Sequence, residues 1–269
     1  MKNALYAMDT YFMMADRAYP FAEQCALARE LGFDRSYRSL DDATWTELPD
    51  LPAIATRAGL PLSAVYACLD IDTAPAQPSS ARLLDAVKIL PAGMTLELGL
   101  LHGKFGEARS DPAHDAKALA WLARLLAAGE DNGVVLSLYP HFGFWQEKLG
   151  DCLRLIRAAG HPRLRATFCG YHWAVSDGAP ISALIRDAAP HLHRVNLCGS
   201  TPGRTTDGLP ASIEPLDSGA LDNAAILRAL RAVGYGGDIG FQGYSIRGDP
   251  RATLARSLAA YRAMISARG

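Results

Sequence analysis

The chain alternates between short apolar runs with a period of two and longer segments with a helical period. Eight runs have the length and residue types of strands, at residues 3–8, 33–37, 62–69, 94–98, 134–139, 164–169, 194–198 and 238–242. Apolar residues at helical spacing lie between them, and the clearest helices are predicted over 20–31, 113–128, 222–233 and 250–265. The pattern predicts eight strands and about eight helices in alternation.

Repeated strand–helix units favour a parallel sheet, and eight of them favour a closed barrel. We therefore predict an α/β fold with a single (β/α)8 TIM barrel over residues 1–269. A doubly wound open sheet is the rival fold, but it usually carries a glycine-rich phosphate loop after an early strand. Here Asp9-Thr10-Tyr11-Phe12 follows the first strand instead. The longest irregular segment, 199–219, has the length of a functional or mobile loop.

Side chains alternate between the two faces of a strand, so sequence parity separates inner from outer positions. Each of strands five to eight pairs an apolar face with a polar one. We expect the apolar faces to meet the helices and the polar faces to line the barrel, ending at Tyr139, Cys169, Asn196 and Gln242. Because barrel active sites lie at the carboxyl ends of the strands, these residues are predicted to surround a site.

Two histidines follow adjacent strands at this same end of the predicted barrel. His141 comes after strand five and His172 after strand six, each on the loop that follows its strand. With Tyr139 they would supply groups for acid–base chemistry, and we take the three as candidate catalytic residues. A lone histidine after a strand is more often bonded to backbone, so the hypothesis depends on the pair. Tyr139 is also compatible with a buried phenol whose hydroxyl is hydrogen-bonded.

Further residues near the predicted mouth are candidates for substrate binding, namely Asn196, Gln242, Cys169, His102 and Trp173. The two amides are equally compatible with hydrogen bonding inside the barrel. Trp173 would stack on a flat ligand or pack against a helix. Around strand four, Glu97 is either an inner carboxylate or a solvated one, and Lys104 is expected at the surface.

Charge and cysteine content exclude several classes of protein. The chain has 27 basic and 28 acidic residues without a basic stripe, so no nucleic-acid partner is expected. No apolar run is long enough to span a membrane, and the first residues lack the pattern of a signal peptide. The five cysteines are odd in number and form no CxxC pair, which argues against a disulfide framework. We expect a cytoplasmic protein.

Five segments carry recognisable motifs, at residues 27–34 (LARELGFD), 136–141 (LSLYPH), 167–172 (TFCGYH), 215–222 (PLDSGALD) and 234–239 (GYGGDI). In this order they resemble signatures of the xylose-isomerase-like superfamily of sugar isomerases and epimerases, which includes endonuclease IV. The chain is similar to a branch, labelled sugar phosphate isomerase/epimerase, that carries Tyr-Pro-His in strand five and Gln in strand eight. The resemblance extends along the whole chain and implies a TIM barrel with a carbohydrate substrate.

The resemblance also implies a metal site, which this sequence does not preserve. The family takes Glu, Asp, His and Glu from strands five to eight, and the matching positions hold Tyr139, Cys169, Asn196 and Gln242. Hard divalent ions need carboxylate oxygen, so we predict no metal and no cofactor. His172 matches a family histidine that contacts substrate. One alternative stays open, because Cys169, His141 and His172 are ligand types that hold zinc, although their spacing is no known zinc motif.

These observations favour a metal-independent enzyme in which His141 or His172 moves a proton next to the carbonyl of a keto-sugar or similar polyhydroxy carbonyl compound. Asn196 and Gln242 would donate hydrogen bonds to the developing enediol oxygen. Isomerisation, epimerisation and β-elimination share this step. The alternative is a non-catalytic carbohydrate-binding or partner protein, and a third hypothesis, nucleic-acid repair, lacks both the metal ligands and a basic surface. Homo-oligomers are common among related barrels, but no residue identifies an interface.

Overall fold

The computed structural model describes residues 3–267 and confirms the predicted (β/α)8 barrel. The eight parallel strands are β1 (Leu5–Ala7), β2 (Ser36–Ser39), β3 (Leu62–Asp70), β4 (Thr95–Leu101), β5 (Val135–Leu138), β6 (Leu164–Cys169), β7 (Leu192–Leu197) and β8 (Asp238–Phe241). They pair in chain order from β2 to β8, and β8 pairs with β1. Every connection therefore returns to the same end of the barrel, which brings all carboxyl ends of the strands to one mouth.

Nine α-helices surround the strands within residues 3–267. They are α1 (Phe21–Leu31), α2 (Leu51–Arg57), α3 (Pro78–Ile89), α4 (Asp115–Ala128), α5 (Leu149–Ala159), α6 (Gly170–Ser176), α7 (Ile181–Ala188), α8 (Asn223–Ala232) and α9 (Pro250–Ser266). The number exceeds the predicted eight because two helices, α6 and α7, connect β6 to β7. No helix in the described part of the chain is both long enough and apolar enough to cross a membrane.

The barrel closes between β1 and β2 through a short contact. The backbone N–H groups of Asp34 and Arg35 both donate to the carbonyl of Leu5, at 2.8 and 3.1 Å. The side chain of Asp34 accepts from the N–H of Leu5 at 2.8 Å. Phe33 and Asp34 thus precede the strand, and Arg35 forms an isolated parallel bridge with Tyr6. The observed β2 therefore begins and ends later than the predicted strand over 33–37. The polar sequence of Ser36–Ser39 carries no apolar alternation that would have located it.

The two faces of the strands follow the predicted parity. Leu136 and Leu138 on β5 and Ile239 and Phe241 on β8 are fully buried in the apolar layer between sheet and helices. Polar side chains fill the interior of the barrel instead. Each buried polar group there needs a partner, and the interior side chains therefore bond to one another across the barrel.

Glu97 on β4 is one centre of this interior network and is fully buried. Its carboxylate accepts from the hydroxyls of Tyr37 and Thr167, at 2.7 and 2.8 Å, and pairs with Arg194 at 3.3 Å. Glu97 is therefore an inner carboxylate and not a solvated one. Burial raises the pKa of Glu97, and the neighbouring Arg194 opposes that rise. The polar interior forms a rigid floor beneath the mouth.

Candidate active site

The turn after β5 places His141 at the mouth of the barrel. The N–H of His141 donates to the carbonyl of Gln146 at 3.0 Å, and the N–H of Phe144 donates back to the carbonyl of His141 at 3.0 Å. Gly143, at φ +79°, supplies the left-handed residue in this turn. The side chain of Gln146 accepts from the N–H of Leu100 on β4, which ties the turn to the neighbouring strand. His141 is thus held by backbone contacts on both sides.

His172 lies in the first turn of α6, directly after β6, where a loop had been predicted. The side chain is 2% exposed. The centroids of the His141 and His172 rings are 4.2 Å apart, with an angle of 41° between the ring planes. Two positions that are 31 residues apart, one in the turn after β5 and one in α6, therefore meet at one point of the mouth.

The peptide groups of Phe142 fix opposite tautomers for the two imidazoles. The N–H of Phe142 donates to Nδ1 of His172 at 3.0 Å, so the proton of neutral His172 lies on Nε2. The carbonyl of Phe142 is 2.8 Å from Nδ1 of His141 and can only accept, so that proton lies on Nδ1 and Nε2 keeps its lone pair. One ring offers a base and the other a hydrogen-bond donor.

Both imidazoles are neutral at physiological pH. Burial lowers the pKa of His141 to about 4. Burial also lowers the pKa of His172 well below its usual range, and a charge on His141 would lower it further. The Nε2–H of His172 has no hydrogen-bond partner among residues 3–267. A buried donor without a protein partner is available to a ligand.

Tyr139, Cys169 and Gln242 lie together at the ends of β5, β6 and β8. The thiol of Cys169 donates to Oε1 of Gln242 at 3.2 Å, which leaves the Gln242 amide hydrogens free to donate. Burial raises the pKa of the Cys169 thiol to about 11 and raises that of the Tyr139 phenol well above its usual range. Both groups are therefore protonated and uncharged at neutral pH.

Asn196, at the end of β7, lies deeper in the barrel and is fully buried. Arg194 can only donate, so the Tyr6 hydroxyl accepts from its Nε at 3.3 Å and gives its own proton to Oδ1 of Asn196 at 2.5 Å. This chain of bonds fixes the orientation of the Asn196 amide. Its Nδ2 has no partner within the described residues. The unpaired atom at this position is thus a donor.

The four positions that correspond to the metal ligands of the resembled family do not fit a divalent cation. The amide oxygens of Asn196 and Gln242 already accept hydrogen bonds from Tyr6 and Cys169, and the thiol and phenol are protonated. A cation needs free, preferably anionic, oxygen ligands. Within residues 3–267, no three His, Cys, Asp or Glu side chains converge to hold a metal ion, so Cys169, His141 and His172 do not form the alternative zinc site.

A cavity of about 470 Å³ opens at this mouth. Tyr139, His141, His172 and Gln242 line it, whereas Cys169 and Asn196 lie behind its wall. This volume falls within the range of roughly 300–1,000 Å³ typical of small-molecule pockets. The structure therefore brings four predicted site residues to one cavity and places two more beside it.

His102 and Trp173 are not brought to the cavity. His102 follows β4, pairs with Asp72 and stacks on His114, with ring centroids 3.6 Å apart. Trp173 points to the helix side of α6, where its Nε1–H donates to the carbonyl of Ala179 at 2.9 Å. It packs on Phe168, an outward-facing residue of β6. Lys104 is exposed, as expected.

Several lining residues were absent from the predicted set, among them Thr10, Asp41, Tyr66, Cys68 and Phe105. Parity applied to β3 would have placed Tyr66 and Cys68 on the inner face, opposite the apolar Val65 and Ala67. Thr10 lies in a short 3-10 helix after β1, and Asp41 and Phe105 lie on the loops after β2 and β4, where no periodicity indicates the direction of a side chain.

Known proteins share the barrel at low sequence identity. The Escherichia coli 3-keto-D-glucoside 4-epimerase YcjR, in its apo form, has 18% identity and a TM-score of 0.73, with 97% of this chain and 100% of that chain covered. An L-ribulose 3-epimerase has 19% identity and a TM-score of 0.76, with 99% and 95% covered. The IolI protein with a bound zinc atom has 14% identity and a TM-score of 0.75, with 98% of both chains covered.

Comparison with curated protein sequences gave no match. The family model described as xylose isomerase-like TIM barrel matches residues 25–264, which include all strands from β2 to β8 and every cavity-lining residue named above except Thr10. The match agrees with the strand order, the position of the cavity and the motifs in the sequence. The chain belongs to the xylose isomerase-like TIM barrel family.

Proposed function

We propose that this protein is a sugar isomerase or epimerase that moves a proton at the carbon next to the carbonyl of a keto-sugar, without a metal ion. The observation that carries the proposal is the pair of neutral imidazoles with opposite tautomers, His141 and His172, at the wall of one cavity. A base and a donor side by side match the two needs of enolisation, which are removal of a carbon-bound proton and stabilisation of the oxygen.

In the proposed step, Nε2 of His141 takes the proton from the carbon beside the carbonyl. The electrons of the broken C–H bond form the carbon–carbon double bond of an enediolate, and the carbonyl oxygen becomes the oxyanion. Protonation of the same carbon from the other face by the Tyr139 phenol gives an epimer, and the phenol then recovers its proton from His141 through water. Return of the proton from His141 to the former carbonyl carbon, after proton transfer between the oxygens, gives an isomer.

The neighbouring donors stabilise the oxyanion. His172 acts through Nε2–H as a neutral imidazole, which polarises a carbonyl without transferring a full proton. The phenol of Tyr139 and the amide of Gln242 are uncharged donors in the same cavity. A base with a pKa of about 4 drives proton removal weakly, so this mechanism places most of the catalytic effect on the donors.

The substrate class comes from the related barrels. The similar structures are named as epimerases of a 3-keto-glucoside and of ribulose. Fold alone does not determine activity. The analogy therefore supports only the substrate class, a small-molecule carbohydrate, and the reaction is inferred from the chemistry of the site. The same shared step would serve isomerisation, epimerisation or β-elimination.

Solvent deuterium exchange in the presence of EDTA tests the proposal. L-ribulose, D-allulose and D-fructose are incubated with the protein in D2O, and loss of the C–H signal beside the carbonyl is followed by proton NMR. We expect exchange by the wild type and a loss of about 10²–10⁴-fold in His172→Ala, the range for one acid–base or oxyanion group. His191→Ala is the matched control, since His191 precedes β7 at the opposite end of the barrel.

Two results would contradict the proposal: no exchange by the EDTA-treated wild type, or equal exchange by His172→Ala and wild type. Saturable sugar binding without any exchange would instead support the non-catalytic carbohydrate-binding protein. Circular dichroism on each variant separates loss of chemistry from loss of fold.

A further inference from the structure

Exposed large hydrophobic side chains concentrate at the mouth of the cavity. Within residues 3–267 there are five, and Met13, Phe105 and Tyr244, which are 47%, 61% and 42% exposed, all line the cavity. Single exposed apolar side chains are ordinary, but a group around one cavity marks a binding surface. The mouth therefore presents apolar area to whatever enters the cavity.

Phe105 is held at the mouth by the bare backbone of Gly143. A Cβ at position 143 would lie only 2.0 Å from the Phe105 ring, so any side chain there would displace the ring from its place. The N–H of Gly106 donates to the carbonyl of Gly143 at 2.7 Å and ties the loop after β4 to the turn after β5. The ring position is thus defined by packing and a backbone hydrogen bond, although most of the ring is open to solvent.

Phe105, Phe142 and Phe144 form what we call the aromatic sector. The Phe105 ring makes edge-to-face contacts with Phe142 and Phe144, at centroid distances of 5.8 and 6.4 Å. Phe144 stacks on His141 at 4.1 Å. The sector therefore runs without interruption from the mouth to the imidazole pair, along the ends of β4 and β5.

Polar lining groups that could meet sugar hydroxyls lie on the other side of the barrel. Thr10, Asp41 and Gln242 follow β1, β2 and β8, where Met13 and Tyr244 also line the cavity. The strand order places β8 and β1 across the barrel from β4 and β5. Hydroxyl groups of a sugar find partners on that side. Against the aromatic sector, a hydroxyl group would lose its water without gaining a partner. The side facing Phe105 therefore suits an apolar group.

We propose that the aromatic sector is a subsite for an aryl or alkyl substituent, and that the substrate is a keto-glycoside, with a ketone at one ring carbon and an apolar aglycone. The inference rests on the proposed function, because it places the reacting carbonyl beside His172 and Tyr139. The sugar ring faces Thr10, Asp41 and Gln242, and the aglycone reaches outward past the aromatic sector. A planar aglycone gains stacking contacts with the rings in addition to burial of apolar area.

Isothermal titration with phenyl β-D-glucopyranoside and methyl β-D-glucopyranoside tests the subsite without any turnover. We expect the wild type to bind the phenyl glycoside about tenfold more tightly, which is about 1.4 kcal/mol. Phe105→Ala should reduce this preference to less than about threefold, and Phe105→Tyr should retain it. Ile89→Ala is the control, since Ile89 is equally exposed, at 56%, and does not line the cavity.

Equal affinities for the two glycosides, or binding of neither up to roughly 10 mM, overturn the subsite. So does a phenyl preference that is unchanged in Phe105→Ala. The two proposals fail separately: phenyl preference without deuterium exchange on any keto-sugar refutes the catalytic step and keeps the subsite. Exchange with equal glycoside affinities refutes the subsite and keeps the catalytic step.

Discussion

At the scale of single residues, the site depends on Phe142, whose side chain lines the cavity and whose backbone sets the chemistry. Its N–H and carbonyl bond to His172 and His141 and give the two rings opposite tautomers. Without these bonds, each imidazole would exchange freely between tautomers, and most of the pairs would lack the lone pair, the donor or both. The backbone of Phe142, which lies between the two histidines, thus sets the arrangement of the site.

The low pKa of His141 predicts an unusual pH profile. A lowered pKa means that the ring keeps its lone pair as pH falls and is protonated only near pH 4. We expect exchange rates to stay within about twofold between about pH 5 and 8, whereas a base at the usual histidine pKa would lose roughly 30-fold by pH 5. Initial rates of deuterium uptake check this, and a decline centred near pH 6.5 would contradict it.

The sequence identified this pair but not its state. Both histidines and Tyr139 were selected because they follow adjacent strands, and the structure brings them to one cavity. Their tautomers depend on a backbone group of Phe142 and their pKa values on burial, neither of which has a signal in residue order. The prediction that Trp173 lies at the mouth was wrong. Trp173 follows His172 by one residue in α6, and this step turns its side chain to the helix side.

At the scale of elements, β8 shows why a strand that lines a site carries a glycine. The inner face of β8 at Gly240 meets the bond between Tyr6 and Asn196. A Cβ at position 240 would lie 2.2 Å from both Oδ1 of Asn196 and the Tyr6 ring. Because Gly240 has no side chain, there is room for the hydrogen bond from Tyr6 to Asn196. This bond points the amide hydrogens of Asn196 away from Tyr6.

We predict that Gly240→Ala destabilises the fold by about 1–3 kcal/mol, the usual cost of overpacking. Thermal unfolding should show a melting temperature several degrees lower. Gly236→Ala is the control four residues earlier, where a Cβ would meet no atom within 4 Å and φ is not positive. Equal melting temperatures for the two variants would show that the Tyr6–Asn196 contact yields without cost.

Most elements could be predicted because their apolar period is clear, and the exceptions have a physical cause. The predicted β6, over 164–169, matches Leu164–Cys169, since apolar and polar residues alternate along it. The predicted position of β2 was wrong because Ser36–Ser39 is polar on both faces, with Tyr37 bonded to Glu97 on one face and Ser36 bonded to the carbonyl of Leu60 on the other. A strand whose side chains form hydrogen bonds lacks the alternation of apolar and polar residues that marks a strand packed on helices.

At the scale of the whole molecule, one polar network inside the barrel receives side chains from all eight strands. They are Tyr6, Tyr37, Ser63, Glu97, Ser137, Thr167, Arg194 and Asp238. Arg194 is its hub, with Glu97 at 3.3 Å, Asp238 at 3.1 Å and the Tyr6 ring 4.1 Å below the guanidinium. The floor of the mouth is therefore coupled to every strand, which holds the site residues in fixed register.

Removal of one member of the buried Arg194–Glu97 pair should greatly reduce the stability of the fold. We expect Arg194→Met to lower the free energy of unfolding by about 3–5 kcal/mol, because Glu97 stays buried without its cation. Adding Glu97→Gln should recover part of this loss, with a coupling of about 0.5–3 kcal/mol between the two sites. Urea unfolding of both single variants and the double variant measures this coupling. Arg157→Met, which breaks an exposed pair with Asp187, should change stability by less than about 1 kcal/mol.

Additive losses in the double variant would show that Arg194 and Glu97 act independently and that the barrel does not depend on their pairing. If Arg194→Met does not fold, Glu97→Gln still gives a separate test, because a neutral amide at position 97 leaves Arg194 paired with Asp238. The free energy of unfolding of Glu97→Gln should fall by less than the loss expected for removal of the arginine. A barrel whose mouth carries neutral donors thus places its charges one layer below, where they stabilise the strands and leave the cavity wall uncharged at the imidazole pair.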